Sequence, residues 1–187
     1  MKHAVRISLI ILLGTAAFLA SGCSEPDTTL PYSIEIEEEK AGRITSETPF
    51  DASHIASLMP GFDVKPYTAF SAGMPHTVLR VSRHERPIMS IMPTPDGKRV
   101  HSVTVHDPEV TAQRRVHVGA PFAKIFHCAE PCSRADEYGK DKALCKAPGS
   151  LHIFYLFTLD GSQTDDLQTL ETLGTTPVEA IIWKSDA

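Results

Sequence analysis

The 187-residue sequence lacks the short motifs that mark the best-known enzyme sites. It contains no His-Glu-x-x-His for zinc, no Gly-x-Ser-x-Gly around a nucleophilic serine and no glycine-rich loop that cradles a phosphate. Nine histidines are present, but none of them stands in such a motif. We therefore predict no catalytic residue, no metal site and no cofactor, and we expect that the protein is not an enzyme.

Positive charge is also scarce. The chain has 18 lysines and arginines against 23 aspartates and glutamates, which gives a formal net charge of −5. No stretch gathers the basic residues into a stripe. A nucleic acid is therefore excluded as the expected partner.

No apolar run is long enough to cross a membrane as a helix, which needs about 20 residues. The longest run, Leu9–Leu19, is interrupted by Gly14 and Thr15, and it follows the cations Lys2 and Arg6. A charged start, an apolar middle of this length and small residues at the end are typical of a secretory signal peptide.

The leader ends in Leu19-Ala20-Ser21-Gly22-Cys23, which looks like the lipobox of a bacterial lipoprotein, with Ala20 where leucine is commoner. We predict a signal peptide over residues 1–22 and cleavage between Gly22 and Cys23. The thiol of Cys23 would then carry a diacylglycerol group, and its freed amine a third acyl chain such as palmitate. An ordinary cleaved signal peptide is the alternative.

The residue after Cys23 is Ser24 and not aspartate, which resembles the sorting pattern of enterobacterial lipoproteins that reach the outer membrane. We therefore expect a lipid anchor on the periplasmic face of that membrane. The expected partners are the membrane itself through the acyl chains, the lipoprotein maturation and sorting machinery, and an envelope protein.

Residues 23–41 are predicted to be a lipidated tether that can include a first strand, and residues 42–187 a single globular domain. Three cysteines remain in this part: Cys128, Cys132 and Cys145. The periplasm is oxidising, so a disulfide is expected, but an odd count leaves one thiol over. The spacings permit each of the three pairings, and a metal or redox site with His127 is a further alternative.

The first half of the domain predicts one helix and then strands. Thr48-Pro49-Phe50-Asp51 is typical of a helix start with Thr48 as the cap, and Pro60-Gly61 should end that helix. Three alternating stretches predict strands: His76–Ser82, Ile88–Met92 and Arg99–His106. Pro95-Asp96-Gly97 should close the last two into an antiparallel hairpin, with Val103 and Val105 on one face of the strand.

The second half shows a similar order. Pro121-Phe122 precedes a short helical run, Ala123–His127, and strands are predicted at Leu151–Leu159 and Val178–Lys184. Leucines at helical spacing also favour a helix in Thr164–Leu173. We predict an α+β fold, an antiparallel sheet with short helices on one face, and consider a duplication of two helix-plus-strands halves. The helix starts are offset by 72 residues, and the final strands by 78.

Two polar clusters are candidate sites. Glu37-Glu38-Glu39 could bind a cation, but a solvated edge is the expected reading. His101 and His106 stand five residues apart on one predicted strand, so they should face opposite ways and could not chelate together. His106-Asp107 could be a base and its orienting acid, although the following Pro108 favours a strand end.

Several segments resemble the sigma-E-regulated lipoprotein family, small lipoproteins of unknown function under envelope-stress control in enteric bacteria. They are Gly42-Arg43-Ile44-Thr45, Thr48-Pro49-Phe50, Val118-Gly119-Ala120-Pro121-Phe122, Cys145-Lys146-Ala147-Pro148-Gly149-Ser150 with His152-Ile153, and Ile181-Ile182-Trp183. The resemblance covers residues 42–184. It implies a Cys132–Cys145 bridge, leaves Cys128 as an extra thiol, and brings no catalytic residues.

The expected function is that of an envelope lipoprotein whose domain binds a partner or maintains the envelope without catalysis. A periplasmic hydrolase, or another small enzyme with an unrecognised site, is the alternative.

Overall fold

The computed structural model describes residues 34–71, 74–126, 132–159 and 174–185. Within these ranges the chain forms an eight-stranded sheet, a five-stranded sheet and two short α-helices. Neighbouring strands run antiparallel in the larger sheet, and a single parallel pair joins two strands of the smaller one. The predicted α+β class with a mainly antiparallel sheet is confirmed.

The elements follow one another in two similar series. The first is β1 (Glu35–Glu37), β2 (Lys40–Ala41), β3 (Ile44–Thr45), α1 (Ala52–Leu58), β4 (Asp63–Ser71), β5 (Met74–Arg83), β6 (Arg86–Pro93) and β7 (Val100–Val105). The second is β8 (Thr111–Ala112), a 3-10 turn (Gln113–Arg115), β9 (Val116–His117), α2 (Phe122–Ile125), β10 (Cys132–Arg134), a 3-10 turn (Asp136–Tyr138), β11 (Lys142–Lys146), β12 (Ile153–Thr158) and β13 (Val178–Lys184).

The strand orders show that the two series are arranged alike. The large sheet has the order β10-β11-β12-β13-β7-β6-β5-β4, so two four-stranded meanders meet at their last strands, β7 and β13. The small sheet has the order β3-β2-β1-β8-β9. Thr104 lies opposite Ile182 in the middle of the β7–β13 ladder. These two residues correspond to each other at the predicted offset of 78 residues.

Short bridges place the start of each helix in the same way. Pro49 forms an isolated bridge with Arg99, and Pro121 forms one with Pro177. Both pairs reproduce the offsets that the sequence suggested, 72 residues before the helix and 78 at the last strand. The structure therefore contains a repeat of the predicted kind.

Each meander also has a β-bulge at the same place. The β6–β7 ladder shifts register between Met92 and Pro93, and the β12–β13 ladder shifts between Leu156 and Phe157. The extra residue is His101 on β7 and Glu179 on β13. A bulge inserts one residue into the strand. Beyond that point, each side chain lies on the face opposite to the one that strict alternation predicts.

The helix caps differ from the sequence prediction. The N-cap of α1 is Asp51, whose carboxylate accepts a hydrogen bond of 2.7 Å from the backbone N–H of His54. Thr48, the predicted cap, instead accepts a 2.9 Å bond from the N–H of Thr45. The helix starts later than expected because the backbones of Thr48 and Phe50 hydrogen-bond to Val100 and Lys98, on either side of the Pro49–Arg99 bridge. It ends before Pro60-Gly61, as predicted.

One face of the large sheet, here called the inner face, packs on both helices and on the small sheet. Its largest fully buried side chains include Trp183, Tyr155, Phe157, Met89 and Ile91. The opposite face, called the outer face, has a smaller apolar cluster of Ala135, Leu144, Leu156, Ala180 and Ile182. Helices on one face and a partly wet second face agree with the prediction.

The predicted strands are found with small changes at their ends, but seven strands were not predicted: β2, β3, β4, β8, β9, β10 and β11. The first strand, β1, lies inside the segment 23–41, and Ile36 is fully buried there. Gly22, Cys23, Cys128 and the predicted helix Thr164–Leu173 lie outside the described residues. Within the described ranges, no helix combines the length and the hydropathy that a membrane crossing requires.

Candidate functional site

A groove of about 540 Å³ runs along the outer face, across the junction of the two meanders. The first half supplies most of its wall. The lining residues are Tyr67, Ala69, Phe70, His76, Val78, Ser90, Met92, His101, Ser102, Thr104, His106, Glu137, Tyr138 and Lys184. The groove is therefore built from apolar and aromatic side chains with a few hydroxyls, imidazoles and opposite charges.

The strand β7 forms the floor of the groove by simple alternation. Val103 and Val105 are fully buried on the inner face, whereas Ser102, Thr104 and His106 line the groove. The predicted division of this strand into two faces is confirmed.

His101 is a correction. The sequence prediction placed it on the face opposite to His106, because five residues separate them on one strand. Both histidines line the groove, since the bulge at His101 shifts the alternation by one residue. Among the described residues, no group of three or more His, Cys, Asp or Glu side chains is placed to hold a metal ion.

A short row of polar groups crosses the middle of the groove. The hydroxyl of Tyr67 lies 3.4 Å from Oγ of Ser90, which lies 3.4 Å from Nε2 of His106. Partial burial lowers the pKa of His106, while the negative charge of Glu179 acts in the opposite direction. The imidazole is therefore mainly neutral at pH 7, and it can accept a proton or a hydrogen bond.

Glu179, the other bulge residue, projects beside this row. It accepts hydrogen bonds from Lys142 and Thr158, and Lys142 also donates to Thr158 over 2.8 Å. Burial alone would raise the pKa of Glu179, but the two hydrogen bonds and the nearby positive charges together lower it. Its carboxylate is thus tied to β11 and β12 and is ionised at neutral pH.

The far end of the groove is aromatic and cationic. The ammonium group of Lys184 lies 5.7 Å from the ring centre of Tyr138 and 5.1 Å from that of Phe154. Burial raises the pKa of Tyr138, and the charge of Glu137 adds to the effect. The phenol therefore stays protonated and can donate a hydrogen bond to a bound group.

The near end of the groove reaches the tip of the β4–β5 hairpin. Phe70 is 73% exposed there, and Met74, across the tip, is 61% exposed. Large apolar side chains at one rim of a groove offer an unburied contact surface.

Asp107 is not an orienting acid for His106. Its side chain is fully buried, and its Oδ2 lies 2.6 Å from Nη2 of Arg86. Oδ1 accepts a hydrogen bond from the N–H of Glu109 in the turn after Pro108. The alternative reading of this pair, a strand end, is confirmed.

The acidic run at 37–39 is a second correction, because its middle residue is not simply solvated. The carboxylate of Glu38 accepts bonds from Oγ of Ser150 at 2.5 Å and from the N–H of Leu151 at 2.6 Å. Its carbonyl accepts the indole N–H of Trp183 at 3.0 Å. Glu38 therefore ties the small sheet to the end of the large one. The sequence could not show this, since the partners are more than a hundred residues away.

The predicted disulfide is present. Cys132 and Cys145 stand opposite each other on β10 and β11, with a Cα–Cα distance of 4.2 Å and a covalent S–S bond. The bond fastens the short edge strand of the second meander. Cys23, the predicted lipidation residue, lies outside the described ranges.

Several groove residues gave no signal in the sequence. Tyr67, Ala69 and Phe70 lie on β4, which was not predicted, and Tyr138 lies in a turn after the disulfide strand. The alternation of β7 was the signal that found Ser102, Thr104 and His106.

Comparison with known proteins gives a consistent result. Residues 23–185 match the family described as "Protein of unknown function (DUF1131)". The "Uncharacterized protein YfeY" of Escherichia coli (strain K12) is 25% identical over 190 residues, which cover 95% of this chain and 98% of that protein. The crystal structure of the uncharacterized protein YfeY from Escherichia coli matches with a TM-score of 0.66 and 27% identity, covering 80% of this chain and 99% of that one. With a family match over most of its length, this chain belongs to the DUF1131 family of proteins of unknown function.

Proposed function

We propose that this chain is a cell-envelope lipoprotein whose domain binds an envelope component without catalysis. Acyl chains on Cys23 hold it on the periplasmic face of the outer membrane, and envelope stress controls its production. The lipobox-like sequence that ends at Cys23 supports the anchor.

The observation that carries the binding role is the groove on the outer face. Its volume of about 540 Å³ falls within the range of ligand sites. Val78 is 2% exposed in its wall, and the exposed ring of Phe70 forms its rim. Burying a side chain of that size is worth about 1.5–3 kcal/mol, so an apolar ligand group would bind favourably here.

The polar groups of the groove would orient such a ligand. Thr104 and His106 offer hydrogen bonds in the middle, and Lys184 and Tyr138 offer them at the far end. A site with an apolar body and few polar contacts favours a ligand that is itself mainly apolar.

Binding is tested with an environment-sensitive apolar dye. Wild-type protein should bind the dye with an increase in fluorescence, and Met92→Arg should abolish the increase by placing a charge in the groove. Leu151→Arg is the matched control, because Leu151 is 61% exposed and lies outside the groove. Equal loss in both variants, or no saturable binding to wild type, would contradict the proposal.

The occupant in the cell is tested by photo-crosslinking. A photoreactive amino acid at Ala69 should give one defined adduct, and Phe70→Ser should remove it, whereas the same amino acid at Leu151 should not give it. An adduct of the same size from both positions would show that the groove does not select the partner.

The anchor has its own test. Cys23→Ala should release the protein from membranes, and mass spectrometry of the wild-type N-terminus should find acyl chains on Cys23. An unmodified N-terminus in the native protein would refute the lipoprotein assignment and leave the groove proposal standing. A transcriptional reporter that does not respond to envelope stress would refute the proposed control.

One observation favours a hydrolase as a second candidate. Oγ of Ser90 faces Nε2 of His106 inside the groove, which is the contact between a nucleophile and its base. Against this role, Ser90 lies within β6 and pairs with Arg80 on one side and Thr104 on the other. Its backbone groups therefore belong to the sheet ladder, and they do not form an oxyanion hole.

A fluorophosphonate probe separates the two candidates. The binding proposal predicts no labelling of Ser90, and the hydrolase predicts labelling that both Ser90→Ala and His106→Gln abolish. Labelling lost in these variants but kept in Ser102→Ala would replace the binding proposal with the enzyme.

A further inference from the structure

A second, smaller cavity of about 70 Å³ lies in the second half of the chain, apart from the groove. Its polar lining consists of Gln113, Arg114, Lys124 and Tyr155. No acidic side chain lines it. All four polar side chains can donate hydrogen bonds, and two of them carry a positive charge.

The two cations of this lining are exposed at the surface and have no described counter-charge. Arg114 and Lys124 form no ion pair with a described carboxylate. Tyr155 is only 1% exposed, and its side chain lines the cavity. Burial raises the pKa of Tyr155 to about 12, although the charge of Arg114 lowers it somewhat, so the hydroxyl remains a donor.

The loop that carries Arg114 is strained. Arg114 and Arg115 both have a φ of 59°, a left-handed conformation that side chains with a Cβ disfavour. The matching loop of the first half is Gly42-Arg43, and there a glycine, Gly42, takes the left-handed position with a φ of 64°. The second half thus has an arginine, Arg114, in a left-handed conformation that glycine would adopt without strain.

The repeat provides an internal comparison for Tyr155 as well. Tyr155 pairs with Ile181 on β13, and its counterpart Ile91 pairs with Val103 on β7. Ile91 is fully buried and carries no polar atom in its side chain. The architecture therefore accepts a plain apolar residue at this position, and the hydroxyl of Tyr155 is not needed for packing.

We propose that Arg114, Lys124 and Tyr155 form a binding site for a phosphoryl group. Two cations and a neutral donor around a small cavity match an oxyanion, and the arginine can donate two parallel bonds to it. The phosphoryl group comes from a phospholipid headgroup or from free phosphate, which present the same oxygens.

The site is tested on the full-length acylated protein in a neutral detergent, with inorganic phosphate titrated by calorimetry against chloride at equal ionic strength. Phosphate should bind saturably. Arg114→Gly and Lys124→Gln should each raise its Kd about tenfold or more, the usual effect of losing a charge-assisted hydrogen bond. Tyr155→Phe should weaken binding less and keep the core packed.

Arg115→Gly is the matched control, since Arg115 has the same φ and charge but does not line the cavity. Its Kd should equal that of wild type. Arg114→Gly should melt at the same temperature as wild type or higher, which separates lost binding from lost folding. Absence of saturable phosphate binding, or equal weakening by Arg115→Gly, would overturn the proposal.

A second titration identifies the source of the phosphoryl group. Dihexanoyl phosphatidate that binds more tightly than phosphate, with the same loss in Arg114→Gly, supports a lipid headgroup. Phosphate that binds as tightly as the lipid supports the free anion.

Discussion

The two meanders of the large sheet share their strand order, their bulges and their central pairing, but they end in different edges. The first ends in β4 and β5, strands of nine and ten residues. The second ends in β10, which has three residues and is joined to β11 by the disulfide. Long strands stabilise the first edge, and the disulfide stabilises the second.

The two halves also contribute differently to the groove. The long hairpin of the first half supplies its aromatic wall and exposed rim, as Tyr67 and Phe70 show. The second half supplies the charged and phenolic end, Lys184 and Tyr138. The two halves share the architecture of their buried core, but they differ in the side chains that they contribute to the groove. Four predictions, from the largest expected effect to the smallest, test this difference.

The matched core residues Phe122 and Phe50 should differ most. Phe122 is 2% exposed and stacks on Phe126 with a ring-centre distance of 4.4 Å, whereas Phe50 is only half-buried. Phe122→Ala should cost about 3–5 kcal/mol of unfolding free energy. Phe50→Ala should cost clearly less. Urea denaturation of both variants measures the difference. Equal losses of unfolding free energy would show that the two phenylalanines contribute equally to the core.

Loss of the disulfide should act on the second half alone. Cys132→Ser with Cys145→Ser should lower the unfolding free energy by about 3 kcal/mol, for a bridge with a sequence separation of 13. Hydrogen exchange should show lost protection in β10 and β11 and unchanged protection in β4 and β5. A uniform loss across both meanders would contradict separate stabilisation of the edges.

The first half has a strained turn that can be relaxed. His84 and Glu85 join β5 to β6 with φ values of 49° and 66°, which favour Asn-Gly. Replacing them with Asn-Gly should stabilise the protein by about 1 kcal/mol. The melting temperature measures this effect. Replacement with Ala-Ala serves as the control and should not stabilise.

The bulge residue Glu179 should make the stability of the fold sensitive to acid. The pKa of Glu179 is lower in the folded chain than its ordinary 4.5, so it stabilises the fold above that pH. This contribution should disappear as the pH falls below about 4.5. Glu179→Gln should therefore cost about 0.2–1 kcal/mol at pH 7 and much less at pH 3. An equal loss of unfolding free energy at both pH values would show that the charge of the carboxylate does not stabilise the fold.

The sequence pattern was sufficient to predict an element where the residues of that segment alone indicate its structure. The alternation of β7, the Pro95-Asp96-Gly97 turn and the strand Val178–Lys184 were all predicted, because side-chain period and turn chemistry are local properties. The repeat was visible for the same reason, in its Pro-Phe pairs and final strands.

The misses have physical causes too. The strand β4 contains Lys65 and Pro66, which are tolerated at a sheet edge but obscure a strand pattern. A bulge has no sequence marker here, so the face of His101 was assigned wrongly. The partners of Glu38 are brought together only by folding.

By itself, the sequence determined the class of fold, the order of the halves, the central strands and the disulfide that the family resemblance implied. The first three follow from local periodicity and turn residues, whereas the pairing of Cys132 with Cys145 was implied by the family resemblance alone. Only the tertiary structure decided the groove, the row from Tyr67 to His106 and the small cavity at Arg114. Each of these joins residues from strands far apart in the chain, and which side chains meet depends on ladder register, which a single inserted bulge residue changes.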